Sequence, residues 1–478
     1  MADRAKTATF EYLDSVPAVD AFTAEIAGTR EIALDTEGAS FHRFIDRIYL
    51  LQLSTRDRHA VVDPLPFRSP AGLGALLESP DVEVVFHDAD YDLRLLQQDY
   101  GWKINHIFDT RIAAQLLGYT AFGLAALLER FFDVKLDKKH QRADWSMRPL
   151  TADMLDYAAQ DTRFLLELKD KMSAELERMG RMGWAREEFG LLEGTRWADE
   201  QPGMAFLKMK GARDLNRREL AVLRELVPWR DKAAAAVDRA TFRVLGNEQL
   251  LAIASTQPAT RDALAKIKGM PRAILEQRGN ELLDAVKRAL DVPEADLPRF
   301  PRAARWDRDP DFDARAGALK TARDEAAKRL ALDPGVLCSR DRMEAVARRN
   351  PANVEEVAEV TELRRWQVSE LASAFVAALA PHRTGVGKRP SGAQDVSPNT
   401  DATSLAPVNE VSPYREYALV LGAASRSAAM LRTAETTAPC RRGPLARCDR
   451  ATTWASTRDS PPPRPRPESP SASAPRRP

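Results

Sequence analysis

Three features that often reveal a protein's partners or compartment are scarce in this sequence: net charge, cysteine and long apolar runs. The 71 Lys and Arg residues are balanced by 70 Asp and Glu residues, for a formal net charge of +1. Bulk charge therefore gives no indication of a nucleic-acid partner, and any basic surface must be local. The cysteines, Cys338, Cys440 and Cys448, leave the first 337 residues without a disulfide, as expected in a reducing cytosol.

Segments that would direct the chain to a membrane are also missing. The N-terminus, MADRAKTATFEYLD, lacks the apolar core of a signal peptide. No stretch approaches the roughly 18 apolar residues that a membrane span needs. We therefore expect a cytoplasmic protein without a membrane partner. A metal or redox role for Cys440 and Cys448 has no CxxC pair or nearby histidine to support it.

The chain of 478 residues is too long for one ordinary domain and predicts about two to four. Its first 110 residues alternate short apolar segments with amphipathic ones. Strands are predicted at 31–35, 48–53, 59–62, 82–86 and 104–108, with helical spacing between them at 73–77 and 93–98. From about residue 111 the strand signals end, and helices are predicted at 112–117, 124–132 and 151–179. Strands interleaved with helices indicate an α/β domain over residues 1–200.

The remainder of the chain is predicted to be helical and then changes in composition. A hinge is expected at 180–203. All-α units are predicted at 208–291 and 310–382, and the breaks in the first, at Pro228, Gly246, 257–258 and 269–271, are loosely repeated in the second. The last 20 residues contain eight prolines, with Ser and Arg between them. Residues 383–478 are therefore expected to form a disordered tail.

Asp35 and Glu37 flank Thr36 at the end of the apolar strand EIAL. Residues i and i+2 of a strand point to the same face, so both carboxylates project to one side. Two acids held together repel each other unless a cation neutralises them, and hard oxygen ligands suit Mg²⁺ or Mn²⁺. A D-x-E pair taken alone is more often two solvated acids at the start of a loop.

Two further acidic elements follow in the same domain. In HDADYDL, Asp92 enters a helix after a strand, and the helix dipole keeps a carboxylate there ionised. Ordinary helix capping, above all by Asp90, is the alternative. Tyr157 and Asp161 lie four residues apart in a predicted helix, so the phenol and the carboxylate reach the same point. A polar edge on an amphipathic helix is the alternative, and Asp156, about 140° from Asp161, is expected to be solvated.

Together these elements are more specific than each is alone. Four carboxylates can hold two divalent cations about 3.5–4 Å apart, an arrangement that clamps both the attacking and the leaving oxygen of a phosphodiester. The candidate site therefore comprises the four acids and the tyrosine beside them: Asp35, Glu37, Asp92, Tyr157 and Asp161.

On these motifs, residues 1 to about 200 resemble the DEDDy 3′→5′ exonucleases of the ribonuclease H-like superfamily, and most closely ribonuclease D. ALDTEG, HDADYDLRLL and YAAQDTRFL match the three motifs in order and spacing, and FDTRIAAQLLG and LDKKHQRADWSMRPLT are also similar. The tyrosine branch is indicated because a histidine-branch enzyme would have histidine in place of Asp156. The resemblance implies a ribonuclease H-like α/β domain, a mixed sheet flanked by helices.

The resemblance also implies a role for each candidate residue. Asp35, Glu37 and Asp161 would bind the first of two divalent cations, Mg²⁺ or Mn²⁺. Asp35 and Asp92 would hold the second, and Tyr157 would orient the attacking water. The products would be 5′-mononucleotides released from a free 3′ end.

Some neighbouring residues are weaker candidates. Asp92 takes the family position because it directly precedes Leu93, which ranks it ahead of Asp88 and Asp90. His87 is expected to be a strand-end histidine with its hydrogen bonds made, with a phosphate contact as the alternative.

The loop after Glu37 departs from the family. Gly38 stands where family members often have a large apolar or aromatic residue, which would reshape the pocket for the terminal nucleotide. The aromatic side chains of Phe41, His42 and Phe44 can stack on bases or pack against the fold, and the sequence does not decide between these.

Residues 208–291 resemble the HRDC domain, and residues 310–382 resemble a second copy more weakly. LNRRELAVLRELVPWRDKAAAAVDRATFRVLGNEQLLAIA and LAKIKGMPRAILEQRGNELLDAV carry the first resemblance. The family function is nucleic-acid binding. The basic clusters 213–218 and 266–272 therefore supply phosphate contacts or form solvated helix faces, two interpretations that the sequence leaves open.

The sequence thus predicts a 3′→5′ exoribonuclease acting on RNA with a free 3′ end, and the resemblance suggests tRNA precursors as the substrate. No protein partner is predicted. One alternative is a DNA 3′→5′ exonuclease, since the same carboxylates serve both polymers. Another is a non-catalytic RNA-binding adaptor on a nuclease fold, against which the complete set of five residues argues.

Overall fold

A computed structural model describes residues 10–67, 69–136, 139–196, 203–301 and 309–383. Apart from Arg383, the tail predicted to be disordered (383–478) lies outside these residues, as do Cys440 and Cys448. Among the described residues, no helix combines the length and the apolar character needed to cross a bilayer.

Six strands of the described residues form one mixed sheet in the order β1-β4-β3-β2-β5-β6. Strand β3 runs antiparallel to both β2 and β4, and the remaining neighbours are parallel. The α/β expectation is therefore confirmed, although the three-residue edge strand β1 was not predicted. The strands are β1 Glu11–Leu13, β2 Glu31–Glu37, β3 Leu50–Ser54, β4 His59–Val62, β5 Glu83–Phe86 and β6 Ile107–Asp109.

Helices cover both faces of the sheet, and together with it they form what we call the sheet domain (residues 10–196). The single helix predicted over 151–179 is wrong in one respect, since it ends at Arg163 and a new helix starts at Leu165. The hinge predicted at 180–203 is also wrong in part, because it contains a helix. The helices are α1 Val16–Glu25, α2 Ala71–Leu77, α3 Asp90–Tyr100, α4 Thr110–Leu116, α5 Leu124–Phe132, α6 Ala152–Arg163, α7 Leu165–Arg178 and α8 Met182–Leu192.

Strand β2 lies in the middle of the sheet and distributes its side chains by the two-residue period of a strand. Ile32 and Leu34 are fully buried in the core beneath one face. Ala33 is buried in a different cluster, on the opposite face. Asp35 and Glu37 continue the Ala33 side, so burial of the apolar residues determines which way the two carboxylates point.

The first helical module (residues 205–297) packs around α10, which begins with a capping box formed by Asn216 and Glu219. The break predicted at Pro228 is wrong, since α10 continues through it with Leu226, Val227 and Trp229 buried around it. Their burial holds the helix together where the proline removes a hydrogen bond. The helices are α9 Ala205–Lys208, α10 Arg217–Ala236, α11 Thr241–Val244, α12 Asn247–Thr256, α13 Arg261–Ala265 and α14 Arg272–Leu290.

The second helical module (residues 312–383) repeats this pattern. Gln257 after α12 and Asn350 after α17 both adopt left-handed backbone conformations, with φ of 45° and 46°. Thr260 and Asn353 then cap the following short helices with their side chains. The helices are α15 Phe312–Leu330, α16 Pro334–Leu337, α17 Arg340–Arg349, α18 Val354–Ala358 and α19 Arg365–Leu379.

The second module shares a hydrophobic core with the sheet domain. The rings of Trp184 and Trp366 stack with their centroids 4.8 Å apart. The Glu188 carboxylate accepts a hydrogen bond from Trp366 Nε1 at 2.8 Å. Buried Arg181 donates to the carbonyl of Leu116 in the sheet domain and to that of Leu330 in the module. The module is thus a structural part of the sheet domain rather than a loosely tethered appendage.

Replacing Trp366 with Ala removes one half of this stack from a buried position. We expect the free energy of unfolding to fall by about 3–5 kcal/mol. Because the core is shared, α8 and α19 should lose hydrogen-exchange protection together. Leu290→Ala, at an exposed position, is the control and should change stability by no more than about 0.5 kcal/mol. Loss of protection in α19 alone would contradict a shared core.

Candidate active site

The carboxylates of β2 and α6 converge at one end of the sheet. Asp35 and Glu37 are among the last three residues of β2. Helix α6 packs across β2, β3 and β4 on the face to which both carboxylates point. Asp35, Glu37 and Asp161 each offer a carboxylate oxygen, and these oxygens all lie within 4.8 Å of one another. All three side chains are partly accessible to solvent. The structure therefore brings these three predicted site residues together.

Asp92 lies beside this triad rather than within it. It is buried in the first turn of α3, where its Oδ1 accepts hydrogen bonds from the backbone amide of Thr36 at 3.0 Å and from its hydroxyl at 2.5 Å. The middle residue of the D-T-E motif thus holds the fourth carboxylate against the end of β2. Sequence reasoning missed Thr36 because it considered only the acids of that motif.

Tyr157 lies one helical turn before Asp161 on α6. Its ring packs against Trp145, with the centroids 6.1 Å apart, and meets His140 edge-on at 5.8 Å. Both partners belong to LDKKHQRADWSMRPLT (136–151), which resembles the family, and Trp145 is almost fully buried. The contacts restrict the ring, so the phenol is held on the same side of α6 as the triad.

The weaker candidates are accounted for by local contacts. His87 Nδ1 lies 2.9 Å from Thr110 Oγ1, and burial lowers the pKa of His87 to about 4, so the ring is neutral at pH 7. Asp88 pairs with Arg111. Asp90 pairs with Arg94 at 2.8 Å instead of capping its helix. Among the acids of HDADYDL, Asp92 is the one that faces the triad.

The four carboxylates strongly perturb one another. Burial, followed by the charge of Asp161, raises the pKa of Asp35 well above its ordinary value. Burial and then the neighbouring acids do the same to the pKa of Glu37 and of Asp92. Burial raises the pKa of Asp161 to about 7. Carboxylates in this arrangement resist ionisation until something positive joins them.

The donor set fits divalent cations. It consists of carboxylate oxygens alone, with no thiolate or imidazole among the clustered groups, which suits Mg²⁺ or Mn²⁺ rather than softer metals. No Lys or Arg forms an ion pair with any of the four acids in the described part of the chain. Within the described residues, the cluster therefore carries uncompensated negative charge that a bound divalent cation would neutralise.

Gly38, the departure noted after the D-T-E motif, has a steric explanation. A Cβ atom on Gly38 would lie 2.5 Å from Tyr91 Oη and 2.9 Å from Asp46 Oδ1. Tyr91, the neighbour of Asp92, donates a hydrogen bond to Asp46 Oδ2 at 2.5 Å. The space that a larger residue would fill is thus taken by this hydrogen-bonded pair, which sequence reasoning did not identify.

The aromatic loop after Gly38 connects the site to the first helical module. Phe41 is 48% exposed and meets Phe242 of the module edge-on, with the ring centroids 6.1 Å apart. The backbone amide of Phe44 donates to Asp238 at 3.2 Å, and Phe44 packs on the module's core. His42 Nε2 lies 3.1 Å from the carbonyl of Arg142. Packing therefore accounts for Phe44 and His42, whereas Phe41 stays about half exposed, with the Arg142 guanidinium 5.5 Å from its ring centroid.

In the cation-free protein, the raised pKa values predict a stability that depends on pH. The folded state keeps protons that the unfolded chain has released, so stability should fall as pH rises from about 4 to about 7.

Asp161→Asn removes one of the repelling charges. At pH 8 without cations it should raise Tm, by about 2–4 °C for each kcal/mol gained, while weakening stabilisation by Mg²⁺. Calorimetry with EDTA and with Mg²⁺ tests both effects; a lower Tm in EDTA would contradict charge repulsion.

Gly38→Ala should force Tyr91 and Asp46 apart and displace the neighbouring Asp92. We expect the rate of phosphodiester hydrolysis to fall about 10–100-fold, since a displacement near 1 Å has effects of that order. Tyr91→Phe removes the atom 2.5 Å from the new methyl group. The double variant should therefore recover part of the loss in steady-state assays. Equal rates for Gly38→Ala with and without Tyr91→Phe would show that this contact is not the cause.

Comparison with known proteins agrees with this geometry. The 3′-5′ exonuclease family model matches residues 11–177. The HRDC domain model matches twice, at residues 219–286 and 312–379. The first match covers β1 to α7 with all the predicted site residues, and the other two fall on the two helical modules.

Individual proteins give the same result. A ribonuclease D of Gluconacetobacter diazotrophicus is 35% identical over 271 residues, or 56% of this chain and 69% of the relative. The crystal structure of Escherichia coli RNase D, titled an exoribonuclease involved in structured RNA processing, aligns with a TM-score of 0.62 and 25% identity over 78% of this chain and 100% of that one. The catalytic core of RRP6 from Trypanosoma brucei aligns with a TM-score of 0.54 and 33% identity over 59% and 80%. The chain belongs to the ribonuclease D family and is a hydrolytic 3′→5′ exoribonuclease.

Proposed function

We propose that this enzyme trims the 3′ ends of structured RNA, tRNA precursors among them, and releases 5′-mononucleotides with the help of two divalent cations. The observation that carries the proposal is the carboxylate cluster: Asp35, Glu37 and Asp161 meet within 4.8 Å, and Asp92 is fixed beside them by Thr36. This is the charge density that a pair of cations requires.

The position of each acid supports a division of roles. Asp35, Glu37 and Asp161 form the triad and would hold one cation. Asp35 and Asp92 interact directly through their charges, and Asp92 Oδ1 is occupied by Thr36, which leaves Oδ2 for a second cation next to Asp35. When bound, the cations lower the pKa of a water ligand and offset the charge of the phosphodiester. Tyr157, held by Trp145, would orient that water toward the phosphorus.

The substrate proposal is supported by the ribonuclease D relatives and by exposed basic residues in the first helical module. Only one of the two basic clusters predicted from the sequence supplies such residues. The cluster 213–218 is largely occupied within the protein: Arg217 donates to the carbonyl of Leu297, and Arg218 to that of Val292. In the cluster 266–272, Lys266 and Lys268 are exposed. We therefore assign phosphate binding in the first module to the second cluster.

We further propose that the chain divides into a nuclease domain at 1–200, HRDC units at 208–291 and 310–382 and a tail at 383–478. Limited proteolysis of the full chain tests these boundaries. We also propose a cytoplasmic location, which cell fractionation tests.

Asp161→Asn should lower the rate of nucleotide release from RNA about a thousand-fold or more, because it removes the negative charge of a cation ligand, a loss of several kcal/mol. Tyr157→Phe should lower it by about 10²-fold, the lower end of the range for a group that positions a proton transfer. Asp156→Asn is the matched control, since Asp156 is exposed on the same helix. The measurement is release of labelled mononucleotide from 3′-labelled RNA in Mg²⁺.

The same assay tests the polymer and the site. Matched RNA and DNA oligonucleotides should be degraded at different rates, with RNA preferred; degradation of DNA alone would overturn the substrate proposal. Full activity of Asp161→Asn in Mg²⁺ would overturn the site assignment. Release of dinucleotides or longer fragments as first products would contradict removal of one nucleotide at a time.

A further inference from the structure

Gln52 lies next to the acidic cluster on the neighbouring strand. It occupies the middle of β3, directly opposite Asp35 of β2, so both side chains project from the same face of the sheet. Helix α6 packs over β3 on this face. Gln52 is fully buried, and neither Nε2 nor Oε1 has a hydrogen-bond partner among the described residues.

An amide buried without partners is unfavourable. Leaving one such group unsatisfied costs about 1–3 kcal/mol in proteins, and native structures contain few of them. The other polar residue of β3 on this face shows the usual solution, because Ser54 Oγ lies 2.8 Å from both Thr162 Oγ1 and His59 Nδ1. Gln52, the residue nearer the cluster, is the exception and calls for a functional reason.

The carboxylate of Asp35 lacks a side-chain hydrogen-bond donor. No side chain of the described residues donates a hydrogen bond to its carboxylate, whereas Asp92 has the Thr36 hydroxyl. Carboxylates that bind metals are usually held by such a donor, which sets their orientation. Cross-strand neighbours have Cβ atoms about 4.5–5.5 Å apart, within reach of a glutamine side chain. The Gln52 amide, which lacks an acceptor, thus lies opposite the Asp35 carboxylate, which lacks a side-chain donor.

We propose that Gln52 is a positioning residue for the cation site: its Nε2 donates a hydrogen bond to the Asp35 carboxylate when Asp35 binds a divalent cation. The proposal rests on the assignment of Asp35 as a metal ligand made above. A cation draws Asp35 into a single orientation, and the amide stabilises that orientation from behind. Gln52 touches neither the substrate nor the cation.

A purely structural role makes the opposite prediction. If Gln52 only fills the core, its replacement should change stability and leave cation affinity alone. If it positions Asp35, an apolar side chain of the same length should remove an unsatisfied amide without harm to the cation-free fold, and the change should appear in cation affinity. Removing a group behind a metal ligand typically weakens binding about 10–100-fold.

The test is a titration of Tm with Mg²⁺ and with Mn²⁺ on the full chain, starting from EDTA. Gln52→Met should keep or raise the Tm in EDTA and should need about 10–100 times more Mg²⁺ for half of the maximal stabilisation. Gln52→Leu serves the same purpose if methionine does not fit. The matched control is Gln367→Met, because Gln367 of α19 is also fully buried and its Nε2 also lacks a partner, but its Oε1 accepts a hydrogen bond from the backbone amide of Arg364. It should lower Tm and leave the Mg²⁺ midpoint unchanged.

The outcomes separate this proposal from the one it rests on. If the wild-type protein gains no stability from either cation, the cation site itself is refuted. If the wild type is stabilised but Gln52→Met and Gln52→Leu have its midpoint, Gln52 does not position Asp35, while the site assignment stands. A shifted midpoint in Gln367→Met as well would show a general effect of destabilisation and would also overturn the role of Gln52.

Discussion

The carboxylates of Asp35, Glu37 and Asp161 repel one another because their oxygens lie within 4.8 Å, and the sheet domain must nevertheless hold them in place. Nothing basic in the described residues pairs with them, so their positions depend on the framework. Burial of Ile32 and Leu34 orients β2, the packing of α6 across the sheet places Asp161, and Thr36 ties Asp92 to the end of β2.

The two helical modules relate differently to this centre. The first contacts the loop that follows Glu37, through Phe242 and Asp238. The second packs on α8, where Trp366 stacks on Trp184. Two copies of one fold thus make different contacts with the sheet domain: one meets the loop beside the acidic cluster, and the other completes a hydrophobic core.

Features of the fold that depend on local periodicity could be predicted from the sequence. The D-x-E pair on a strand and the Y-x₃-D pair on a helix are of this kind, and so are most strands and helices. Contacts between distant residues could not, because no local pattern encodes them: Thr36 and Asp92 are 56 residues apart. Pro228 shows the reverse error, in which buried neighbours overrode a local preference for a break.

The basic clusters illustrate a further limit. Composition alone cannot distinguish an arginine that closes the end of a neighbouring helix, as Arg218 does, from a lysine left in solvent, as Lys268 is. The burial of Gln52 was equally invisible, since a glutamine among leucines in β3 gives no sign of which side it faces until the pairing with β2 is known.

The shared core between α8 and α19 has a consequence for synthesis of the chain. All the acids of the site have left the ribosome once residue 161 has emerged, but the apolar surface around Trp184 is covered only after Trp366 follows. Until then this surface is exposed to water, and the sheet domain lacks part of its stabilising burial. An enzyme that degrades RNA therefore reaches its full stability only after nearly all of its folded part has been synthesised.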